Sequence, residues 1–315
     1  MCNRILQQIA IEPMKLSESP VTQHRFNGLT FFVKRDDLLH HQFSGNKARK
    51  FMSLLTGEFP HIKNLIGYGS VQANSLYSLS ALCAIKKWKL TFYVDHIPSY
   101  VKQKPTGNYR GALDLGANIV DLSQLEDRDG RHTSTYIDDN FSGLDDTLIV
   151  PEGGRSTMAE PGVKTLAQEI LNWKLMERCD NLVVALPSGT GTTALYLQKH
   201  LEQADIEVIT CACVGDKEYL VEQFLDVDSK ATQPTIIGTE KKHHFGRLDK
   251  DEYALWQSLE SQTQIEFDLL YDPFMWKNLL DWLSENPNKT VLYIHQGGIL
   301  GNESMVGRYR HWLSI

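Results

Sequence analysis

Val184-Ala185-Leu186-Pro187-Ser188-Gly189-Thr190-Gly191-Thr192-Thr193-Ala194 runs from an apolar strand pattern through a glycine and hydroxyl turn into a helix start. Strand, small-residue turn and helix, in that order, make one half of a βαβ unit. The glycines expose consecutive backbone N–H donors, and the hydroxyls of Ser188, Thr190 and Thr192 add more. Together they can wrap a phosphate dianion without a metal. The turn has neither the lysine of a Walker A loop nor the spacing of a dinucleotide fingerprint, so a monoester phosphate suits it better than a nucleotide.

Outward from this turn, β-like runs at 30–34, 63–68, 90–95, 117–121, 147–150, 181–186, 206–214, 234–238, 267–271 and 290–295 alternate with helical patterns. That alternation predicts an α/β fold built on mostly parallel sheet. Helices are expected over 73–88, 109–115 and 162–178, the last following Pro161, which suits a first helical turn. No repeat or long Pro/Gly linker interrupts the pattern, so a division into lobes would be a crossing of the chain and not a tether.

With 315 residues, 42% of them hydrophobic, the chain can bury one large core or two smaller ones. A formal net charge of -7 argues against general nucleic-acid or anionic-membrane binding. No apolar run approaches the roughly 20 residues of a membrane helix, and Met1-Cys2-Asn3-Arg4-Ile5 lacks the apolar core of a signal peptide. The five cysteines, at 2, 83, 179, 211 and 213, are odd in number and sparse, which suits a reducing, cytoplasmic setting. Cys211 and Cys213 share one face of an expected strand and read as core residues.

Two more segments carry chemistry. Phe43-Ser44-Gly45-Asn46-Lys47-Ala48-Arg49-Lys50 places Lys47 where a loop becomes a helix, with Arg49 and Lys50 adding positive charge and Asn46 able to cap the helix. A lysine that forms a Schiff base must spend part of its time uncharged, which a desolvated or cationic neighbourhood favours. By itself the octapeptide reads first as a basic turn on an exposed helix, since lysine-rich helix starts are common and mostly solvated. Gly67-Tyr68-Gly69-Ser70-Val71-Gln72-Ala73-Asn74 follows a strand pattern and opens the 73–88 helix. Its amides can donate to a ring hydroxyl or a carboxylate, or the segment can serve ordinary βα turn chemistry.

The remaining singletons read as structural. His40-His41 and His243-His244 are adjacent pairs whose side chains are expected to diverge, outside zinc-like spacing, so no metal is expected. Lys241-Lys242-His243-His244 reads as a solvated run. Asp36-Asp37 after Lys34-Arg35 suggests an ion-pair cluster supporting the Lys47 loop, and Trp276 and Trp282 read as core or interface residues, with Trp276 also able to stand beside a bound ligand.

A lysine poised for a Schiff base, an amide-bearing helix start and a phosphate cup are the parts that hold pyridoxal 5'-phosphate. Lys34-Arg35-Asp36-Asp37-Leu38, Gly45 to Lys50, Gly69 to Asn74, Asp272-Pro273 and His295-Gln296-Gly297-Gly298 stand in the order and spacing of the 1-aminocyclopropane-1-carboxylate deaminase and D-cysteine desulfhydrase family, which the chain resembles. The resemblance implies the fold-type II pyridoxal-phosphate architecture, tryptophan synthase β-like. Two open, mostly parallel twisted-sheet domains then hold the cofactor in their cleft, usually in a homodimer. Residues 1–50 and 151–315 would form the large cofactor-binding domain and 51–150 the small one. Lys47 is then the Schiff-base lysine and general base at Cα, and Lys50 a phosphate contact. Asn74 is the amide beside the ring hydroxyl, Ser188, Gly189, Thr190, Gly191 and Thr192 form the phosphate cup, and Gln72, Ala73 and Asn74 meet the substrate.

The chain departs from the family at reactive positions. Ala73 replaces a serine, and Asp272-Pro273-Phe274-Met275-Trp276 replaces Asp-Pro-Val-Tyr followed by Glu or Thr, while Gln296 stands for threonine. Without hydroxyls at 73 and 275, opening a cyclopropane ring is not expected. The expected reaction is D-cysteine desulfhydrase-like β-elimination on a small amino acid, giving a 2-oxo acid and ammonia. Racemisation or β-replacement on the same scaffold, or non-catalytic cofactor binding, are the alternatives. Tyr68 or Tyr77 could take over proton transfer, although aromatic residues beside a βα turn more often pack.

Overall fold

A computed structural model describes residues 17–238 and 243–314. Cys2, the residues judged for a signal peptide, and Lys241 and Lys242 lie outside them. The described residues open with the hairpin β1 (Val21–Phe26) and β2 (Leu29–Lys34), and the chain turns into α1 (Gly45–Lys50). It continues through β3 (Asn64–Tyr68), α2 (Asn74–Lys86), β4 (Lys89–Val94), α3 (Gly107–Asp114), β5 (Asn118–Asp121), α4 (Thr133–Phe141) and β6 (Thr147–Val150). Next come α5 (Glu160–Glu177), β7 (Leu182–Ser188), α6 (Thr192–Leu201), β8 (Glu207–Ala212), α7 (Lys217–Asp228) and β9 (Thr235–Ile236). The chain closes with α8 (Lys250–Thr263), α9 (Asp272–Glu285), β10 (Thr290–Ile294) and α10 (Asn302–Leu313).

Two compact units result. The smaller takes in Ser53–Arg155, and the larger the described residues before it together with those from Ser156 onward. The smaller unit carries a four-stranded sheet ordered β5-β4-β3-β6, parallel throughout. The larger carries a six-stranded sheet ordered β1-β2-β10-β7-β8-β9, parallel except for the β1–β2 hairpin.

Period-two alternation along the central strands builds the larger core on both faces of its sheet. Leu182, Val184 and Leu186 of β7, with Val208, Leu292 and Ile294, pack against Val163, Leu166, Ala167, Ile170 and Trp173 of α5. Those helix residues repeat at three- and four-residue steps, which lines one face of a helix. Val183, Ala185, Ile209, Cys211, Val291 and Tyr293 face the other way, onto α8, α9 and α10. Cys211 and Cys213 are buried in that second layer with their sulfurs 3.6 Å apart, so the period-two reading of their shared face matches the structure.

The structure corrects several expectations. Residues 267–271 are not a strand. This apolar stretch is instead a turn held by side chains: Asn302 Oδ1 accepts from Leu269 N at 2.8 Å, and Trp256 Nε1 and Asn302 Nδ2 donate to Phe267 O at 2.7 and 2.8 Å. Conversely, β1 carries Thr22, Gln23, His24 and Arg25 along an antiparallel edge, and its weak alternation hid it in the sequence. Trp276 and Met275 are fully buried in the second layer, with Trp276 stacked on Tyr293 at 4.9 Å and edge-on to Phe31 at 4.7 Å, which makes Trp276 a core residue.

His40 and His41 do not diverge. Their rings stand 4.3 Å apart because His40 Nδ1 accepts from the backbone of Gln42 and Phe43 and so folds the turn. His243 is not a solvated residue either: it stacks on Phe274 at 3.9 Å and pairs with Glu252 at 3.4 Å.

Candidate active site

In a parallel sheet, ligands bind outside the carboxyl ends of strands where the strand order reverses. In the larger unit that reversal lies at β7, flanked by β8 on one side and β10 on the other. The turns leaving β7 and β10 are Ser188–Gly191 and His295–Gly298, and α1 follows β2, the next strand along. The sequence-predicted Lys47, Lys50 and hydroxyl turn therefore belong to adjoining strand ends.

Gln296 is the bridge among them. Its carbonyl accepts from Asn46 N at 3.0 Å and its Oε1 from Asn46 Nδ2 at 2.9 Å, while its Nε2 donates to Pro187 O at 2.6 Å. Asn46 therefore does not cap α1. Ser44 occupies the N-cap, with extended dihedrals and no side-chain bond, while Asn46 sits in the first turn and faces Gln296. Gly45, at φ +63°, makes the close approach possible, since a Cβ there would lie 1.8 Å from Gln296 O. The sequence presented Gln296 only as a departure from a family threonine. Its partners are 109 and 250 residues away, so no local signal could have named its role.

Lys47 and Lys50 are three residues apart, on neighbouring positions of the α1 surface. Lys50 is buried, and its Nζ lies 3.3 Å from Thr190 Oγ1, which in turn meets Thr192 Oγ1 at 3.1 Å. Lys47 Nζ reaches Asn46 Oδ1 at 3.4 Å. Burial pulls the Lys47 amine down to about 8, with the charge of Asp268 opposing the shift. Burial, reinforced by the charge of Lys47, holds Lys50 well below the ordinary lysine value. Asp268, from the turn before α9, was not named from the sequence because its apolar neighbours made the segment look like a strand.

Arg49 adds no positive charge to the site. It is fully buried and forked to Asp36 at 2.9 and 2.7 Å and to Glu169 at 2.7 and 2.9 Å. The expected ion-pair cluster around Asp36 is present as this network.

The turn after β7 divides into distinct parts. Ser188 ends the strand, its hydroxyl accepting from Thr210 Oγ1 at 2.7 Å and its carbonyl from Cys213 N at 3.0 Å, so it ties β7 to β8. Gly191, at φ +69°, is the N-cap of α6, and Thr192 and Thr193 open the helix. Thr193 Oγ1 is buried without a hydrogen-bond partner. A Cβ on Gly191 would fall 2.3 Å from Phe224 Cε1, whereas one on Gly189 would make only ordinary contact. Gly191→Ala is therefore expected to cost more than about 1 kcal/mol in denaturant unfolding, with Gly189→Ala near wild type. Equal stabilities for the two variants would contradict this account of the turn.

In the smaller unit, Gly67–Asn74 leaves β3, which is likewise the strand at which the order reverses. Gln72 is engaged with α3: its Nε2 donates to Thr106 O at 3.1 Å and its Oε1 accepts from Tyr109 N at 3.3 Å. Asn108 Nδ2 lies within 2.9 Å of Gln72 O and 2.7 Å of Asn74 Oδ1, so Asn108 organises this turn although its sequence context did not single it out. Ala73 is the N-cap of α2 and brings no side-chain cap.

The half-buried Lys47 amine, the buried Lys50 amine and the hydroxyls of Thr190 and Thr192 at a helix start form a donor-rich set that fits a phosphate monoester carrying a carbonyl. No family profile matches the chain. Its architecture is that of the fold-type II pyridoxal-phosphate enzymes: a solved 1-aminocyclopropane-1-carboxylate deaminase homologue superposes with a TM-score of 0.74 at 19% identity, covering 98% of each chain. The chain resembles the 1-aminocyclopropane-1-carboxylate deaminase and D-cysteine desulfhydrase family. It is 23% identical to the mitochondrial bifunctional D-cysteine desulfhydrase/1-aminocyclopropane-1-carboxylate deaminase of Arabidopsis thaliana, over 94% of this chain and 80% of that protein. A hydrogen sulfide-producing enzyme from Fusobacterium nucleatum shares the fold with a TM-score of 0.60 at 14% identity, over 91% of this chain and 97% of that one.

Among the described residues no helix is long and apolar enough to cross a membrane, and no group of three His, Cys, Asp or Glu is placed to hold a metal.

Proposed function

We propose that this chain is a pyridoxal 5'-phosphate-dependent lyase acting on a small amino acid, by D-cysteine desulfhydrase-like β-elimination to a 2-oxo acid and ammonia. The observation that carries the reading is the Lys50 amine at 3.3 Å from Thr190 in the turn after β7, with Lys47 one step earlier on the same helix. When bound, the cofactor supplies an electron sink that acidifies Cα of an attached amino acid. Lys47 would hold the cofactor covalently, and once displaced by substrate its Nζ would take the Cα proton. Lys50, Thr190, Thr192 and the backbone of Gly189 and Gly191 would hold the phosphate, with Ser188 anchoring the turn. By the same resemblance, Asn74 is proposed as a cofactor contact and Gln72, Ala73 and Asn74 as substrate contacts.

Ala73 has no hydroxyl and Met275 lies in the core, so ring opening of 1-aminocyclopropane-1-carboxylate is not expected. The division into domains of 1–50 with 151–315 and of 51–150, and a homodimer, are proposed on the resemblance. A cytoplasmic location is proposed on the sparse cysteines, although the Arabidopsis relative is named as mitochondrial.

The test is incubation of the cofactor-loaded protein with D-cysteine. Equal amounts of sulfide, pyruvate and ammonia are expected. Exchange of the Cα proton without these products would point to racemisation or replacement, and no change of the visible band with any amino acid of a broad panel would overturn the lyase reading.

Only an uncharged Lys47 amine can bond to the cofactor. Uptake by cofactor-free protein is therefore expected to quicken as the pH rises through about 8, read as the rate at which visible absorption appears. A rate that is flat across that value would contradict the assignment of Lys47.

A further inference from the structure

Tyr271 stands against the turn assigned above to phosphate. A methyl built on Gly189 would lie 3.5 Å from both Tyr271 Cε1 and its hydroxyl oxygen, so the ring edge and hydroxyl cover the turn where that residue has no side chain. Tyr271 is partly exposed, unlike the aromatic residues of the core. Its ring centroid is 5.0 Å from that of Phe245, an exposed residue that lines a cleft of about 710 Å³ with Val214 and His243.

The backbone that carries Tyr271 is pinned on both sides. Asp272 accepts from Tyr293 Oη at 2.5 Å and from Asp268 N at 2.8 Å, and Asp268 Oδ1 accepts from Leu270 N at 2.7 Å. Asn302 holds Leu269, and Cys213 Sγ reaches Tyr271 O at 3.8 Å. With φ −115° and ψ −46°, Tyr271 already has helical dihedrals ahead of α9, so it stands one turn before Met275 on the same side. Met275 is fully buried in the apolar layer and can present nothing to a ligand.

We propose that Tyr271 is the tyrosine of this site and contacts the bound cofactor through its hydroxyl, one helical turn before Met275, the position at which the resembled family has its tyrosine. The inference rests on the pyridoxal-phosphate reading and adds a residue that neither the sequence nor the relatives assign.

The test is titration of wild-type protein and the variants Tyr271→Phe, Tyr271→Ala and Met275→Tyr with pyridoxal phosphate, following visible absorption and the melting temperature. Tyr271→Phe keeps the packing and loses one hydrogen bond to a charged group, so its Kd is expected to rise about tenfold with the melting temperature unchanged. Tyr271→Ala is expected to bind at least as weakly. Met275→Tyr placed in the Tyr271→Phe background should restore nothing. A Tyr271→Phe variant that binds like wild type, with Tyr271→Ala alone impaired, would make the ring a packing element and overturn the proposal. So would restoration by Met275→Tyr. If wild-type protein takes up no pyridoxal phosphate, the functional reading fails first and this inference falls with it, a result seen before any Tyr271 variant is compared.

Discussion

Lys47→Ala is expected to remove the visible absorption of protein mixed with pyridoxal phosphate and to lower the rate of product release from D-cysteine by at least about a thousandfold. Both covalent attachment and proton transfer at Cα are assigned to that one amine, and positioned general bases alone are worth about 10²–10⁴ in rate. The same change is expected to leave the melting temperature unchanged or raise it. Burial pulls the Lys47 amine down to about 8, and its charge helps to depress neighbouring Lys50, so removing it relieves both its own desolvation and its repulsion of Lys50. Loss of function together with retained or increased stability separates a site residue from a structural one. A variant that keeps the absorption band would remove Lys47 from its assigned role, and one that simply unfolds would contradict the electrostatic account.

Arg49→Ala should do the opposite: destabilise the fold by about 3–5 kcal/mol in denaturant unfolding, the range for stranding a buried charge by deleting its partner. The guanidinium is 0% exposed and bonds two carboxylates, Asp36 and Glu169, each through two contacts. Lys34 also reaches Glu169, at 2.6 Å, whereas the Asp36 carboxylate would keep, among the described residues, the Ser19 hydroxyl at 2.6 Å. Arg49→Lys should recover only part of the loss, because an ammonium cannot make the two planar forks. Burial works to raise the Glu169 carboxyl, yet hydrogen bonds from Arg49 and Lys34 hold it below its ordinary value. The stability this contributes is present above the unfolded value of about 4.5 and lost as the pH falls through the lower folded value. Arg49→Ala should therefore lose part of the acid-limb dependence that wild type shows. Unchanged unfolding at neutral pH would show that the network adds nothing net.

Most of the scaffold was legible because it repeats a local rule. Continuous apolar runs marked β7 and β8, a helical pattern opened by Pro161 marked α5, and a glycine and hydroxyl turn between strand and helix marked the start of α6. The failures share a cause as well. The 267–271 segment is as apolar as a strand, but Trp256, Asn302 and Asp272 satisfy its backbone through side chains, which no window of sequence displays. β1 is polar because it is an antiparallel edge, where burial makes few demands on composition. Arg49 looked like a source of positive potential because charge in a sequence carries no record of its partners, and one of those lies 120 residues away in α5.

The chain's own order of residues determined that strands and helices alternate, that a lysine follows β2 and that a hydroxyl turn follows β7, since backbone propensity and hydrophobic period act over a few neighbours. That was enough to mark Lys47 and the 188–192 turn as candidates, whereas the role of Lys50 came from the family resemblance. Only the tertiary structure decided that β10 inserts between β2 and β7, which sets Gln296 between the Lys47 helix and the turn after β7. It also decided that Met275 turns into the core while Tyr271 covers Gly189. Those choices depend on which distant surfaces bury one another, and that energy belongs to the packed molecule and not to any stretch of it.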